Sequence, residues 1–109
     1  MVLFYIISTK LKLTINGLYK AFESRIRLGI MSALIMNEKL EFNTLKEYLD
    51  LTDGNLASHL KGLEKEKYIS VEKSFIGRKP NTKYYITKAG RKAFNEHIKA
   101  LENLIKTQK

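Results

Sequence analysis

There is no cysteine in this 109-residue chain. That excludes disulfides, thiolate metal sites and a cysteine nucleophile, and it agrees with a reducing compartment. Proline occurs once, at Pro80, and histidine twice, at His59 and His97. Two histidines with no acidic cluster at ligand spacing make a poor metal site. Acids are scarce, 11 Asp and Glu against 20 Lys and Arg, for a net charge of +9. Such an excess points to a polyanionic partner, nucleic acid more often than an anionic membrane, although a merely soluble basic surface would look the same. The apolar opening Met1–Ile7 is far shorter than the ~20 residues a bilayer span needs. It also lacks the charged start and small-residue cleavage site of a secretory signal. A cytoplasmic protein without membrane contact is expected. The sequence holds no nucleophile elbow, phosphate loop, metalloprotease or paired-acid motif, so no enzyme and no cofactor is expected.

What is present suits one globular domain with a core of its own: 44% apolar and 28% charged residues, with no repeat or linker. Lys10 to Ile15 alternates, which predicts an extended segment ending an N-terminal apolar extension over 1–15. From Asn16 the period turns helical, with Asn16 capping a short helix to Phe22. Ser24 caps a longer one to about Asn37, striped by Ile26, Ile30, Met31, Leu34 and Ile35. Leu40–Phe42 is a candidate short strand. Asn43–Asp50 is a compact helix in which Thr44 and Glu47 have capping-box spacing. After a turn at Leu51–Thr52, Leu56, Leu60 and Leu63 mark an amphipathic helix over 53–66, completing a helix-turn-helix. Tyr68–Phe75 alternates as a strand, with Ile69, Val71 and Phe75 on one side, and Tyr84–Ile86 returns it. Thr87 caps a final helix to about Thr107. The class is mainly α, with α+β character.

Three segments carry a resemblance. Phe22–Met31 (FESRIRLGIM), Leu56–Glu64 (LASHLKGLE) followed by Tyr68-Ile69, and Tyr85–Gly90 (YITKAG) are similar to the first core helix, the recognition helix entering the wing, and the wing's return strand in the winged-helix transcription regulators of the MarR/ArsR group. The resemblance spans about residues 17–107. It implies a winged helix-turn-helix over 16–87, with a β-hairpin wing, and a long C-terminal dimerisation helix over 88–109. Two positions depart from the group: Ala57 stands where Ser is common, and Lys67 where a helix-ending Gly is usual. The lack of metal ligands departs from the metal-sensing branch.

The resemblance implies a sequence-specific double-stranded DNA-binding regulator, a repressor by promoter occlusion, acting as a homodimer. On the recognition helix, at about 100° per residue, Gly54, Ser58, Lys61 and Lys65 oppose the leucine seam, with Asn55 and Gly62 flanking. Asn55 and Ser58 suit base edges, and Lys61 a base or phosphate; Thr52 at the helix start and Lys65 complete the candidate contacts. His59 is either a hydrogen-bonded, partly buried side chain or an edge contact to DNA. On the hairpin, Lys73, Arg78, Lys79 and Lys83 supply four charges, while Gly77, Pro80 and Asn81 shape and stiffen the tip. Repulsion at such a tip is relieved when phosphates replace counterions, and Arg78 suits a narrow minor groove. Asp53 favours the helix dipole, and Glu64 is expected to pair with Lys61 or Lys67. Phe94, Ile98, Leu101 and Ile105, widened by Ala93, Ala100 and Leu104, form a heptad-like seam for dimerisation. A small-molecule effector could occupy a pocket between dimer helices and body, lined by Tyr5, Tyr19 or Phe22. Two other functions fit the same residues: a protein-interaction module of a larger complex, and a sequence-blind DNA binder.

Overall fold

The computed structural model describes residues 16–106. The alternating 10–15 segment, Tyr5 and the chain end from 107 lie outside the described residues. The elements are a 3₁₀ turn (Lys20–Phe22), α1 (Arg25–Met36), β1 (Leu40–Glu41), α2 (Phe42–Leu49), α3 (Asp53–Lys65), β2 (Ile69–Ile76), β3 (Lys79–Ile86) and α4 (Lys88–Lys106). The strands form an antiparallel sheet in the order β1-β3-β2.

Local chemistry explains most of these boundaries. Ser24 stands extended before α1, and its hydroxyl oxygen accepts from the Ile26 and Arg27 amides, satisfying two donors that have no intrahelical partner. The helix expected from Asn16 shrinks to the 3₁₀ turn because Gly17 adopts φ 95, outside any right-handed helix. The capping box at Thr44 and Glu47 does not form: α2 begins earlier, with Glu41 as its N-cap and no side-chain cap. The helix runs instead straight out of β1, so Phe42 joins α2 rather than the strand.

Both helices of the helix-turn-helix end on left-handed residues that are not glycine. Asp50 (φ 52) closes α2, with the Leu51 amide donating to the Lys46 carbonyl at 3.0 Å. Lys67 (φ 66) closes α3, with the Tyr68 amide on the Leu63 carbonyl at 3.1 Å and the Lys67 amide on that of Glu64 at 2.9 Å. This is the Schellman pattern, and a Cβ in the left-handed region costs roughly 1–2 kcal/mol. The departure at Lys67 therefore leaves the chain path intact and adds strain.

The core takes one stripe from each element: Phe22, Ile30, Met31, Ala33, Leu34, Leu45, Leu56, Leu60, Leu63, Ile69, Ala93 and Phe94 are buried. Phe22 is its aromatic hub, with ring centroids 5.2 Å from Tyr68 and 5.4 Å from both Phe94 and His97. The first half of α4 is thereby built into the body. At its start the Thr87 hydroxyl donates to the Lys67 carbonyl at 2.7 Å and accepts from the Gly90 amide at 2.9 Å.

Candidate nucleic-acid interface

The leucine seam decides which side of α3 meets solvent. With Leu56, Leu60 and Leu63 buried, Gly54, Asn55, Ala57, Ser58, Lys61 and Lys65 are all exposed. Apart from its chain neighbours and its own helix backbone, nothing lies within 4 Å of where a Gly54 side chain would start, so no other part of the protein covers the backbone there. Thr52 caps the helix, its hydroxyl oxygen accepting from the Asn55 amide at 3.2 Å. Asp53 in the first turn pairs with Lys46 of α2 at 2.9 Å, which ties the two helices across the turn and offsets an acid beside the candidate face. The Glu64 pairing is not formed: among the described residues the ion pairs are Lys39–Glu72 and Lys46–Asp53. Glu64 is instead half-buried, near enough to Tyr84 to push its phenol upward alongside the larger effect of burial.

His59 is hydrogen-bonded and half-buried. Its Nδ1 accepts from Arg27 Nε of α1 at 3.1 Å, and burial followed by the Arg27 charge holds the ring below its ordinary pKa, so it is neutral at pH 7. An unprotonated Nδ1 is what an arginine donor requires. The contact runs between helices that are 32 residues apart in sequence, and sequence reading missed it.

The hairpin is longer and tighter than its sequence predicts. Ile76 pairs with Lys79, so only Gly77 and Arg78 form the turn. Gly77 has φ 64 while Arg78 stays negative, the pattern of a type II′ turn with glycine first. Pro80 and Asn81, expected in the loop, are instead the second and third residues of β3, opposite Phe75 and Ser74. Proline is tolerated there because β1 reaches β3 only at Lys83 and Tyr84, leaving the distal end of β3 paired on one side. Phe75, expected to face inward, is 73% exposed because the wing projects beyond the body at that point.

Register also divides the four hairpin cations. Lys73 shares a face with Val71 and Phe75, whereas Lys79 and Lys83 stand on the opposite face with Glu72. Lys83 lies directly opposite Glu72 on β2 and Glu41 on β1, a Glu–Lys–Glu row across three strands. Lys39 adds a 2.8 Å contact to Glu72 and, with Lys83, holds that carboxyl below its usual range. Lys83 is thus flanked by two carboxylates across the strands, without an ion pair to either among the described residues. Lys73, Arg78 and Lys79 are exposed and carry no ion pair among the described residues.

On α4 the expected dimer seam splits. Phe94 is 5% exposed and belongs to the chain's own core, as does Ala93, and Ile98 packs against that core. Farther along, Leu101 and Leu104 are half-buried and Ile105 is 63% exposed. Of the residues expected at an effector pocket, Phe22 is fully buried and the Tyr19 hydroxyl donates to the Glu96 carboxylate.

His97, 3% exposed, was missed as a structural group. Its Nδ1 accepts from the Tyr19 amide at 2.9 Å, and burial lowers its pKa against a smaller upward pull from Glu23. Both histidines are therefore held below 6.5 in the fold, and the unfolded chain takes up their protons first as pH falls. Thermal stability is expected to be level between about pH 7 and pH 9 and to drop as pH falls below 6.5, with His97→Gln flattening part of the slope. Melts in a buffer series check this; a flat profile down to pH 5 would reject it.

The profile of the winged helix DNA-binding domain family matches residues 26–105. The uncharacterised protein MJ0432 of Methanocaldococcus jannaschii is 44% identical over 87 residues, covering 80% of this chain and 95% of that one. A transcriptional regulator homologue from Pyrococcus horikoshii superposes with a TM-score of 0.71 at 32% identity, over 82% of this chain and 93% of the other. At 18% identity, MepR of S. aureus, solved as a DNA complex, shares the fold with a TM-score of 0.70, over 99% and 89% of the two chains. On the helix-turn-helix, the three-stranded sheet and these matches, the chain belongs to the winged helix DNA-binding domain family.

Proposed function

We propose that this protein is a transcription regulator that binds duplex DNA sequence-specifically as a homodimer, with α3 in the major groove and the wing on the minor groove and backbone. The observation that carries this is the exposed outer face of α3, small and polar at its N-terminal end (Gly54, Asn55, Ser58) and basic at its C-terminal end (Lys61, Lys65). A sequence-blind binder would place cations where Gly54, Asn55 and Ser58 stand, since phosphates carry no sequence information. Asn55 and Ser58 suit base edges, Lys61 and Lys65 the groove walls, and Arg78 and Lys79 the neighbouring backbone. Thr52 serves first as a cap. Lys83 ranks below the tip cations as a contact, being half-buried between Glu41 and Glu72 in the strand register.

The homodimer rests on the far end of α4, where Leu101 and Ile105 continue an apolar stripe past the last core residue. A second copy related by a two-fold axis would cover it and present two α3 helices together. Repression by occlusion follows from a dimer seated on a promoter. Selection of duplexes from a random pool tests the whole reading: recovery of an inverted repeat with half-sites one helical turn apart is expected. Recovery without symmetry removes the dimer, and no enrichment at low salt rejects DNA binding in favour of a protein-interaction module.

A further inference from the structure

Arg27 is not part of the recognition helix or the wing, yet its guanidinium reaches the edge of the same face. It leaves α1 and crosses α3 at Gly62, where an added Cβ would overlap its Nη2 and stand 2.9 Å from its Cζ. Gly62 is thus a notch that admits the guanidinium, and any larger side chain would expel it. His59, one turn earlier on the same flank of α3, takes the Nε hydrogen. Two helices therefore fix the plane of the group through one hydrogen bond and one close packing contact.

The two terminal nitrogens are left over. Among the described residues no buried side-chain nitrogen or oxygen lacks a hydrogen-bond partner, and neither terminal nitrogen of Arg27 has an acceptor. They lie against Gly62, which with Ser58, Lys61, Glu64 and Lys65 lines an open hollow on the outer face of α3; Arg27 stands at its Gly62 edge and does not line it. A guanidinium whose Nε is already engaged still offers a two-pronged edge that matches a phosphate, and holding it in place beforehand removes most of the rotamer entropy that docking would otherwise take.

We propose that Arg27, positioned by His59 and Gly62, is a DNA phosphate contact, clamping the backbone strand beside the groove that α3 enters. The inference rests on the DNA-binding reading above and adds to it a residue from α1 and a positioning role for His59. Lys65 and Ser58, which line the neighbouring hollow together with Glu64, supply further donors to the same phosphate row.

The test is equilibrium binding to a mixed-sequence duplex over a range of salt concentrations, with the wild type, Arg27→Gln and Gly62→Ala. Arg27→Gln should weaken every sequence alike, by on the order of tenfold at low salt, and lower the salt slope by about one. Gly62→Ala should do the same while keeping α3 helical by circular dichroism, because it displaces the guanidinium and leaves the charge in the chain. If Arg27→Gln fails to fold, Gly62→Ala alone decides. A wild-type slope retained in the folded variants overturns the Arg27 contact and leaves the DNA-binding reading standing. A wild type that binds no duplex overturns both.

Discussion

Gly90→Ala is expected to lower the melting temperature by roughly 12–24 °C, the largest effect of any single methyl group in the described chain. A Cβ at position 90 would overlap the Tyr68 carbonyl oxygen, with the carbonyl carbon at 2.7 Å and Cα at 2.9 Å. These are backbone atoms and cannot swing aside. The Tyr68 carbonyl is also held by the Thr87 amide at 3.1 Å, and the adjacent Lys67 carbonyl by the Thr87 hydroxyl at 2.7 Å. Overpacking of a rigid site costs about 1–3 kcal/mol, and loss of a backbone hydrogen bond adds about 1 kcal/mol. At some 4–8 °C for each kcal/mol in a domain of this size, ~3 kcal/mol gives the stated range. Gly54→Ala is the internal control. With nothing within 4 Å, it should leave stability unchanged or raise it by up to about 1 kcal/mol. Thermal melts of the two variants side by side check the prediction, and equal melting temperatures would refute it.

The second large effect is on binding. Arg78→Ala with Lys79→Ala should reduce duplex affinity at low salt on the order of tenfold or more, with the salt slope lower by about two, and should do so for all sequences alike. Both side chains are exposed at or beside the turn, so folding and melting temperature should not move. Lys83→Ala is expected to leave the slope nearly untouched, since Glu41 and Glu72 flank that lysine across the sheet. Fluorescence anisotropy at several salt concentrations separates these outcomes. A Lys83 variant that loses as much as the tip variant would mean that the Glu–Lys–Glu row opens on DNA, and an unaffected tip variant would remove the wing from the interface.

Much of the architecture is legible in the residues themselves because it depends on neighbours in the chain. Ser24 and Thr87 announce helix starts, since a cap acts within three residues. Leu56, Leu60 and Leu63 announce which side of α3 is inside, and with it the outer face that the functional reading uses. The same local logic fails where a stronger neighbour competes: Thr44 and Glu47 have capping-box spacing, but the strand before them delivers the chain into α2 at Phe42. Pro80 and Asn81 look like turn residues, yet Gly77 makes so tight a turn that they fall within β3. Phe94 matches a dimer seam by spacing, and its burial in the core, edge-on to the ring of Phe22, claims it for the body.

The order of charge, apolar stripe and cap along the chain thus determined that this protein would be a basic winged helix with one polar helix face. Each of those signals is carried by residues within two turns of one another. Which cations remain available to an anion was decided by the tertiary structure alone. Lys83 is set between two glutamates only through strand register, and Arg27 meets His59 and Gly62 only when α1 crosses α3. A charge counts at an interface by what surrounds it in space, and partners that distant in sequence leave no periodic trace along the chain.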